Sequence, residues 1–268
     1  MERELIGREE GRRLFGQDPA SYDRARPGHA ERVYEVLVER CGLRPGASVL
    51  EIGPGTGQAT RRLLELGASP LVVVEPDPAL TEYLRDSLGE RIDVRITALE
   101  DAELRPATFD LAAAASSFHW VDEAAGLEKI FAALRPGGWV ALWWTLFGEG
   151  EERDAFIEAT SALLEGLVAS PSRGKKGRPP YALDVDARLH ALHEGGFTRC
   201  QHEVVLWRAS WDTEGIRALY GTFSPIARAP AERRREILAG VARIAERDFG
   251  GRVERTLMTA LYTARRPR

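Results

Sequence analysis

Residues 49–57, Val-Leu-Glu-Ile-Gly-Pro-Gly-Thr-Gly, constrain the fold more than any other stretch of the chain. A short apolar run over residues 48–52 enters a loop with glycine at positions 53, 55 and 57. Ala59, Leu63 and Leu66 follow at helical spacing. A buried strand, a glycine turn and a helix in that order open a doubly wound sheet. Glycines there let the backbone come close to a ligand, and the helix N-terminus behind them favours a negative group. A nucleotide-like ligand at the carboxyl end of this first strand follows.

The pattern then repeats. Residues 30–41 carry a helical stripe of Val33, Val36 and Leu37 ahead of the first strand. Residues 71–74 read as a second strand, and 78–88 as a helix capped by Asp77. Residues 93–96 are a weak strand, and 109–115 an apolar run placed as a strand by its neighbours. Leu127, Ile130, Phe131 and Leu134 mark a helix ended by Arg135-Pro136-Gly137-Gly138, with a strand over 139–144 behind it. Beyond lie an amphipathic helix over 153–168, an exposed mobile loop over 170–180, and a helix over 183–192. A strand over 203–211, helices over 213–223 and 231–249, and a strand over 253–263 complete the chain. The β-α-β-α order over 47–145 predicts a parallel sheet with helices on both faces. The later helices predict a cap over it. Three regions are expected: a helical segment over 1–46, a core over 47–147, and 148–268 as the remaining strands with cap insertions.

The glycine spacing narrows the ligand. A dinucleotide fingerprint is G-x-G-x-x-G, whereas here Gly53, Gly55 and Gly57 are two apart and Gln58 stands where the third glycine belongs. Glu51 precedes the loop; it suits a cationic amino group better than a pyrophosphate. Glu75 ends the second strand, 18 residues after Gly57, where a carboxylate can accept both hydroxyls of a ribose.

Composition removes other classes. The 37 basic and 41 acidic side chains give a net charge of −4, which does not suggest a nucleic-acid binder. No apolar stretch approaches the ~20 residues of a membrane span, and the charged start lacks a signal-peptide core, so a cytoplasmic protein is expected. Cys41 and Cys200 read as free thiols, and His190 with His193 lacks further ligands, so no metal site is expected. Lysine occurs only at 129, 175 and 176, and asparagine is absent. That bias fits a GC-rich genome or a thermophile. With the cap, it leans towards a bacterial biosynthetic enzyme.

Taken together, these motifs resemble the class I S-adenosylmethionine-dependent methyltransferases, of the small-molecule group that includes trans-aconitate and ubiquinone-type enzymes. Tyr22-Asp23-Arg24-Ala25-Arg26-Pro27 is similar to that family's N-terminal segment, which folds over the cofactor. Residues 49–57 resemble its glycine loop, Ala98-Leu99-Glu100-Asp101 its segment beside the adenine, and 109–120 its fourth-strand motif. Ala98 stands where many members carry aspartate. The resemblance implies a Rossmann-like, mostly parallel seven-stranded sheet with an antiparallel last strand. The cofactor would be S-adenosyl-L-methionine and the product S-adenosyl-L-homocysteine. It implies cofactor binding by Tyr22, Arg26, Glu51, Gly53, Pro54, Gly55, Thr56, Gly57, Glu75, Pro76, Leu99, Glu100, Ser116 and Phe118. In this scheme Glu51 holds the cofactor's amino group, directly or through water, and loop amides with Arg26 meet its carboxylate.

His119 is the first candidate for a general base, since it follows the fourth strand and a free imidazole titrates near ~6.5. Trp120, Trp143, Trp144, Phe147, Tyr220 and Phe223 are candidate acceptor contacts; alternation puts Trp143 and Trp144 on opposite faces. They suggest an apolar or aromatic small molecule. Oxygen, nitrogen and carbon acceptors remain open, and a carboxylate would need no base. Two other readings stand beside this one: a non-catalytic cofactor-binding regulatory or scaffolding protein, and an NAD-dependent oxidoreductase. Arg178-Pro179-Pro180-Tyr181 mimics a nucleic-acid methyltransferase loop but falls outside the fourth-strand position.

Overall fold

The structure is a computed structural model that describes residues 5–14, 16, 18–147, 154–173 and 179–268. Its core is one seven-stranded sheet: β1 (Val49–Ile52), β2 (Leu71–Val74), β3 (Asp93–Arg95), β4 (Phe109–Ala115), β5 (Leu134–Phe147), β6 (Thr198–Asp212) and β7 (Arg252–Arg265). The spatial order is β3-β2-β1-β4-β5-β7-β6. The first five strands run parallel, and β7 lies antiparallel between β5 and β6.

The order reverses between β1 and β4, because β1 leads outward to β2 while β4 lies on its other side. A crevice opens at that switch, above the carboxyl ends of the strands. Side-chain alternation splits the core into two layers. Val49, Leu111, Ala141 and Trp143 face α3 (Glu31–Glu39), α4 (Gln58–Glu65) and α5 (Pro78–Leu88). Leu50, Ala112, Leu142 and Trp144 face α6 (Glu123–Ala133) and α8 (Val185–Glu194). Asp77 caps α5 as expected, its carboxylate accepting from the amides of Ala79 and Leu80.

Several predicted elements change extent; β6 begins at Thr198 rather than 203, and the helix expected over 213–223 ends at Gly221. β5 begins at Leu134 rather than 139, because Leu134 pairs with Phe109 before the Arg-Pro-Gly-Gly segment shifts the register. The helix predicted over 153–168 is short. Residue 153 lies outside the described residues, α7 covers Ala155–Thr160, and a 3-10 turn over Ser161–Leu164 follows. The Thr160 hydroxyl donates to the Phe156 carbonyl at 2.7 Å, a local bond that bends helices, and Gly166 sits at φ +78°.

The cap joins α7 to α9 (Thr213–Gly221), α10 (Ser224–Ala227) and α11 (Ala231–Phe249) around Phe156, Ile216, Tyr220, Ile237 and Val241. One ion pair ties it to the sheet. Arg255 Nε of β7 donates to Asp154 at 2.7 Å, and both side chains are buried. Asp154 also caps α7 through the Ile157 amide. Asp154→Ala strands the buried guanidinium and removes the cap, so a loss of about 3–5 kcal/mol in urea unfolding is expected. A loss under about 1 kcal/mol contradicts that assignment.

At the other end, α1 (Arg8–Leu14) and α2 (Pro19–Ala25) cross the carboxyl edge of the sheet. A Cβ on Gly11 would lie 1.9 Å from the Trp120 ring, so only glycine lets α1 seat there.

Candidate active site

The crevice is an open cavity, with about 1070 Å³ of empty space counting its solvent-filled mouth, bounded by α1, α2, the glycine loop and the ends of β1, β2, β4 and β5. Of the residues expected to bind a ligand, Tyr22, Arg26, Gly53, Pro54, Gly55, Thr56, Glu75, Pro76, Leu99, Ser116, Trp120 and Phe147 line it. Gly53 and Gly55 adopt φ of +62° and +59°, the left-handed region that favours glycine. A Cβ on Gly53 would strike Ser117 at 2.5 Å, while Gly55 opens onto free space. Gly57 does not line the wall. It begins α4 and packs against Leu84, where a Cβ would come within 2.8 Å.

Two buried carboxylates dominate the electrostatics. Glu75 ends β2, and its oxygens accept from the Gly55 amide at 3.3 Å and the Asp77 amide at 3.1 Å. Burial raises its pKa to about 7, against these hydrogen bonds. Glu51 lies one layer down and is fully buried. It does not line the cavity, because on β1 it points to the α4 face while Ile52 points to the wall. Neither of its oxygens makes a well-formed hydrogen bond; burial raises its pKa to about 8, against the pull of the nearby Thr60 hydroxyl. The neighbouring Thr60 hydroxyl is orphaned too. A dry carboxylate with nothing to hold is costly unless a cation or water meets it.

At the α1 end the wall is Arg12, Ala98, Leu99, Trp120 and Val121. Sequence reasoning missed Arg12. Its guanidinium donates to Glu100 and to the Trp120 carbonyl, both at 2.7 Å. Glu100 therefore faces Arg12 and the Asp122 amide rather than the cavity. Trp120, expected near an acceptor, sits under α1 instead.

The opposite end is built from Tyr22, Arg26, His29, Ser116, Thr145 and Phe147. Ser116 holds φ of +54°; its amide donates to the Trp143 carbonyl at 2.7 Å, and its hydroxyl accepts from the Thr145 amide at 3.3 Å. Strained non-glycine backbone of this kind collects at ligand sites. His29 is a further lining residue that sequence reasoning missed.

The remaining expected residues lie behind the wall. His119 Nδ1 accepts from Trp144 Nε1 at 3.1 Å, and its ring stacks near Trp120 and Tyr181. Burial and the Arg26 charge push its pKa down to about 3. Phe118 is buried against Gly126 of α6. Trp143 and Trp144 take opposite faces, as alternation requires, but both are core. Tyr220 is in the cap core with its hydroxyl 2.9 Å from that of Thr160. Phe223 packs 5.4 Å from the Phe147 ring, one residue back from the cavity. Tyr181 donates to Glu123 at 2.8 Å, away from the cleft. Lys175, Lys176 and Arg178 lie outside the described residues. Among the described residues no cluster of three metal-ligating side chains occurs, and no helix is long and apolar enough to cross a membrane.

Residues 50–142, which carry the glycine loop, Glu75 and β4, match the family described as a methyltransferase domain. Those residues carry a methyltransferase domain, whose cofactor is S-adenosylmethionine. A methyltransferase of Schizosaccharomyces pombe, itself uncharacterized, is 25% identical over 85% of this chain and 85% of its own. The fold resembles phosphoethanolamine N-methyltransferase 2 of Haemonchus contortus, solved with S-adenosylhomocysteine. There the TM-score is 0.58 at 15% identity, over 98% of this chain and 61% of that longer one. The (4+2)-cyclase SpnF is similar at TM-score 0.58 and 19% identity, over 98% of this chain and 97% of that one.

The methyltransferase cofactor fits the residues present. The left-handed glycines leave a bare backbone cradle, Glu75 offers acceptors at the ribose position, and Glu51 is a buried carboxyl with no cation beside it.

Proposed function

We propose that this methyltransferase acts on a small, largely apolar or aromatic organic molecule that enters the cavity at the β5 end. The observation that carries this reading is the division of the cavity. Its glycine-loop side has the bare cradle and Glu75, with Glu51 buried one layer behind, and its β5 side has Tyr22, Phe147 and Thr145. The bound cofactor supplies an electrophilic methyl group on a sulfonium. Glu75 accepts hydrogen bonds from the ribose, and Glu51 offsets the positive amino group, directly or through water. Leu99, Ala98 and Val121 give an apolar slot for the adenine. Apolar walls keep water from the reacting carbon, so positioning and water exclusion carry much of the rate. In the transfer, the acceptor atom's lone pair forms the new bond to carbon, and the carbon–sulfur pair stays on sulfur. A proton must leave only where the acceptor carries one at neutral pH.

His119, with its Nδ1 occupied by Trp144, then serves packing rather than proton transfer. His119→Ala is expected to keep turnover within about threefold while leaving the Trp144 N–H unpaired, at about 1–3 kcal/mol in unfolding. A hundredfold fall in turnover at unchanged cofactor affinity would restore the base role.

The commitment of His119 to Trp144 keeps a second reading in view: a protein that binds the cofactor without transferring its methyl group. Incubation with methyl-labelled S-adenosylmethionine and a panel of aryl and alkyl acceptors separates them. Label in any small organic product supports transfer. Tight cofactor binding with no label in any acceptor class favours the second reading.

A further inference from the structure

Trp207, Thr259 and Thr145 form a line of polar contacts across three strands that ends in the cavity. Thr145 of β5 stands directly opposite Thr259 of β7. Thr259 in turn stands opposite Val205 of β6, whose next neighbour on the same face is Trp207. Trp207 Nε1 donates to Thr259 Oγ1 at 3.0 Å, and Thr259 Oγ1 lies 3.4 Å from Thr145 Oγ1. Thr145 lines the cavity, and its amide, donating to Ser116 Oγ at 3.3 Å, fixes it there. All three residues lie outside the matched stretch 50–142.

The ends of the line set its direction. An indole N–H only donates, so Thr259 Oγ1 accepts from Trp207. Thr259 is fully buried, and among the described residues its hydroxyl has one other hydrogen-bond neighbour, Thr145. Were Thr145 the donor, the Thr259 proton would stay buried with no acceptor, at the full cost of an unmade bond. Thr259 therefore donates to Thr145. At 3.4 Å this contact is long for two hydroxyls, so it orients more than it binds. The Thr145 proton is turned away from Thr259 and towards the cavity.

That proton does not face the ribose position. Thr145 stands three strands along from Glu75 in the order β2-β1-β4-β5, roughly 14 Å at about 4.8 Å per strand. Among the described residues lining this end none carries a carboxylate, so an N–H or O–H of a ligand finds no anionic partner there. A carbonyl oxygen does find a donor. One hydroxyl among aromatic walls suits a neutral oxygen, because it is too weak to offset the desolvation of a carboxylate.

We propose that the Thr145 hydroxyl, aimed by Trp207 through Thr259, donates to a neutral carbonyl oxygen of the methyl acceptor. Thr145 is then a specificity residue, and Thr259 and Trp207 are positioning residues. This rests on the methyltransferase reading of the cavity.

Acetophenone and α-methylstyrene, which has a CH2 group in place of the carbonyl oxygen, test it by calorimetric titration into S-adenosylhomocysteine-saturated protein. Thr145→Val should weaken acetophenone by about threefold to tenfold, the worth of one neutral hydrogen bond, and leave α-methylstyrene and S-adenosylhomocysteine within about twofold. Thr145→Ser should recover acetophenone binding. The carbonyl stretch of bound acetophenone should lie at lower frequency in the wild type than in Thr145→Val. Trp207→Phe lets Thr259 accept from Thr145 instead, so it should reproduce part of the acetophenone loss. With Thr259→Val added, Thr145 has only the cavity to donate to, and that loss should disappear. Cooperative melting above the assay temperature shows that each variant is folded. An equal effect of Thr145→Val on both probes, an unshifted carbonyl stretch, or no binding of acetophenone to the wild type overturns the proposal. So does loss of S-adenosylhomocysteine by Thr145→Val, since the hydroxyl then serves the cofactor. Those outcomes leave the methyltransferase reading standing. Failure of the wild type to bind S-adenosylhomocysteine removes that reading, and this inference with it.

Discussion

Glu75→Gln weakens S-adenosylhomocysteine binding by about 10- to 150-fold, the effect of losing about 1.5–3 kcal/mol of charge-assisted hydrogen bonding. The carboxylate is only 5% exposed and is steered by the amides of Gly55 and Asp77. It can accept from two ribose hydroxyls at once. An amide turns one acceptor into a donor, which faces the Gly55 or Asp77 N–H or a ribose O–H. Calorimetry reads the loss directly, and an unchanged melting curve shows that the fold is intact. Affinity within about threefold of wild type would remove Glu75 from the ribose site.

Cofactor binding at pH 7 releases protons, and this second effect comes from Glu51. Its folded-state pKa is about 8 against an ordinary 4.5. Without cofactor, the folded chain keeps a proton between those values that the unfolded chain has already lost. Stability therefore falls as pH rises from about 4.5 to about 8 and is flat beyond that window. Glu75, raised to about 7, adds to the fall with the same sign up to that pH. A cationic amino group favours the ionised carboxylate, so binding drives the proton out. Titrations in buffers of different ionisation enthalpy should show up to about one proton released per site at pH 7 and almost none at pH 9.5. Glu51→Leu should abolish most of the release and weaken cofactor binding by at least about tenfold; above about pH 8, where the carboxylate is ionised and buried without a cation, it should also stabilise the cofactor-free protein. Proton uptake, or no buffer dependence at pH 7, would contradict a role for Glu51 opposite the amino group.

The elements that could be read from the sequence were those whose signals are local. β2 and β4 follow apolar runs between polar stops, and α5 carries its own cap in Asp77 and its own first-turn proline in Pro78. β5 outran its apolar run because its first residue pairs across to Phe109, which no local pattern records. The 153–168 helix broke where a threonine hydroxyl back-bonds to the chain, a choice that hydrophobic period does not register. The site divides in the same way. Gly53, Gly55 and Glu75 belong to one contiguous strand–loop–helix–strand unit, so their spacing reveals them. Arg12 and His29 arrive from segments folded over the sheet, and only tertiary packing decides which side chains reach inward. Gly11 is the one trace of that packing, a glycine inside a helix that proves to seat against Trp120. The tryptophans misled because aromatic residues near strand ends serve core and cleft alike; at Trp143 and Trp144 the core took both.

The most direct test of the account is calorimetric titration of the full chain with S-adenosylmethionine, S-adenosylhomocysteine and NAD in parallel. The account predicts roughly micromolar binding of both sulfur compounds, at about −8 kcal/mol, and none of NAD. Folded protein that binds neither sulfur compound, or that binds NAD, would contradict it at Glu51, the glycine loop and Glu75 together.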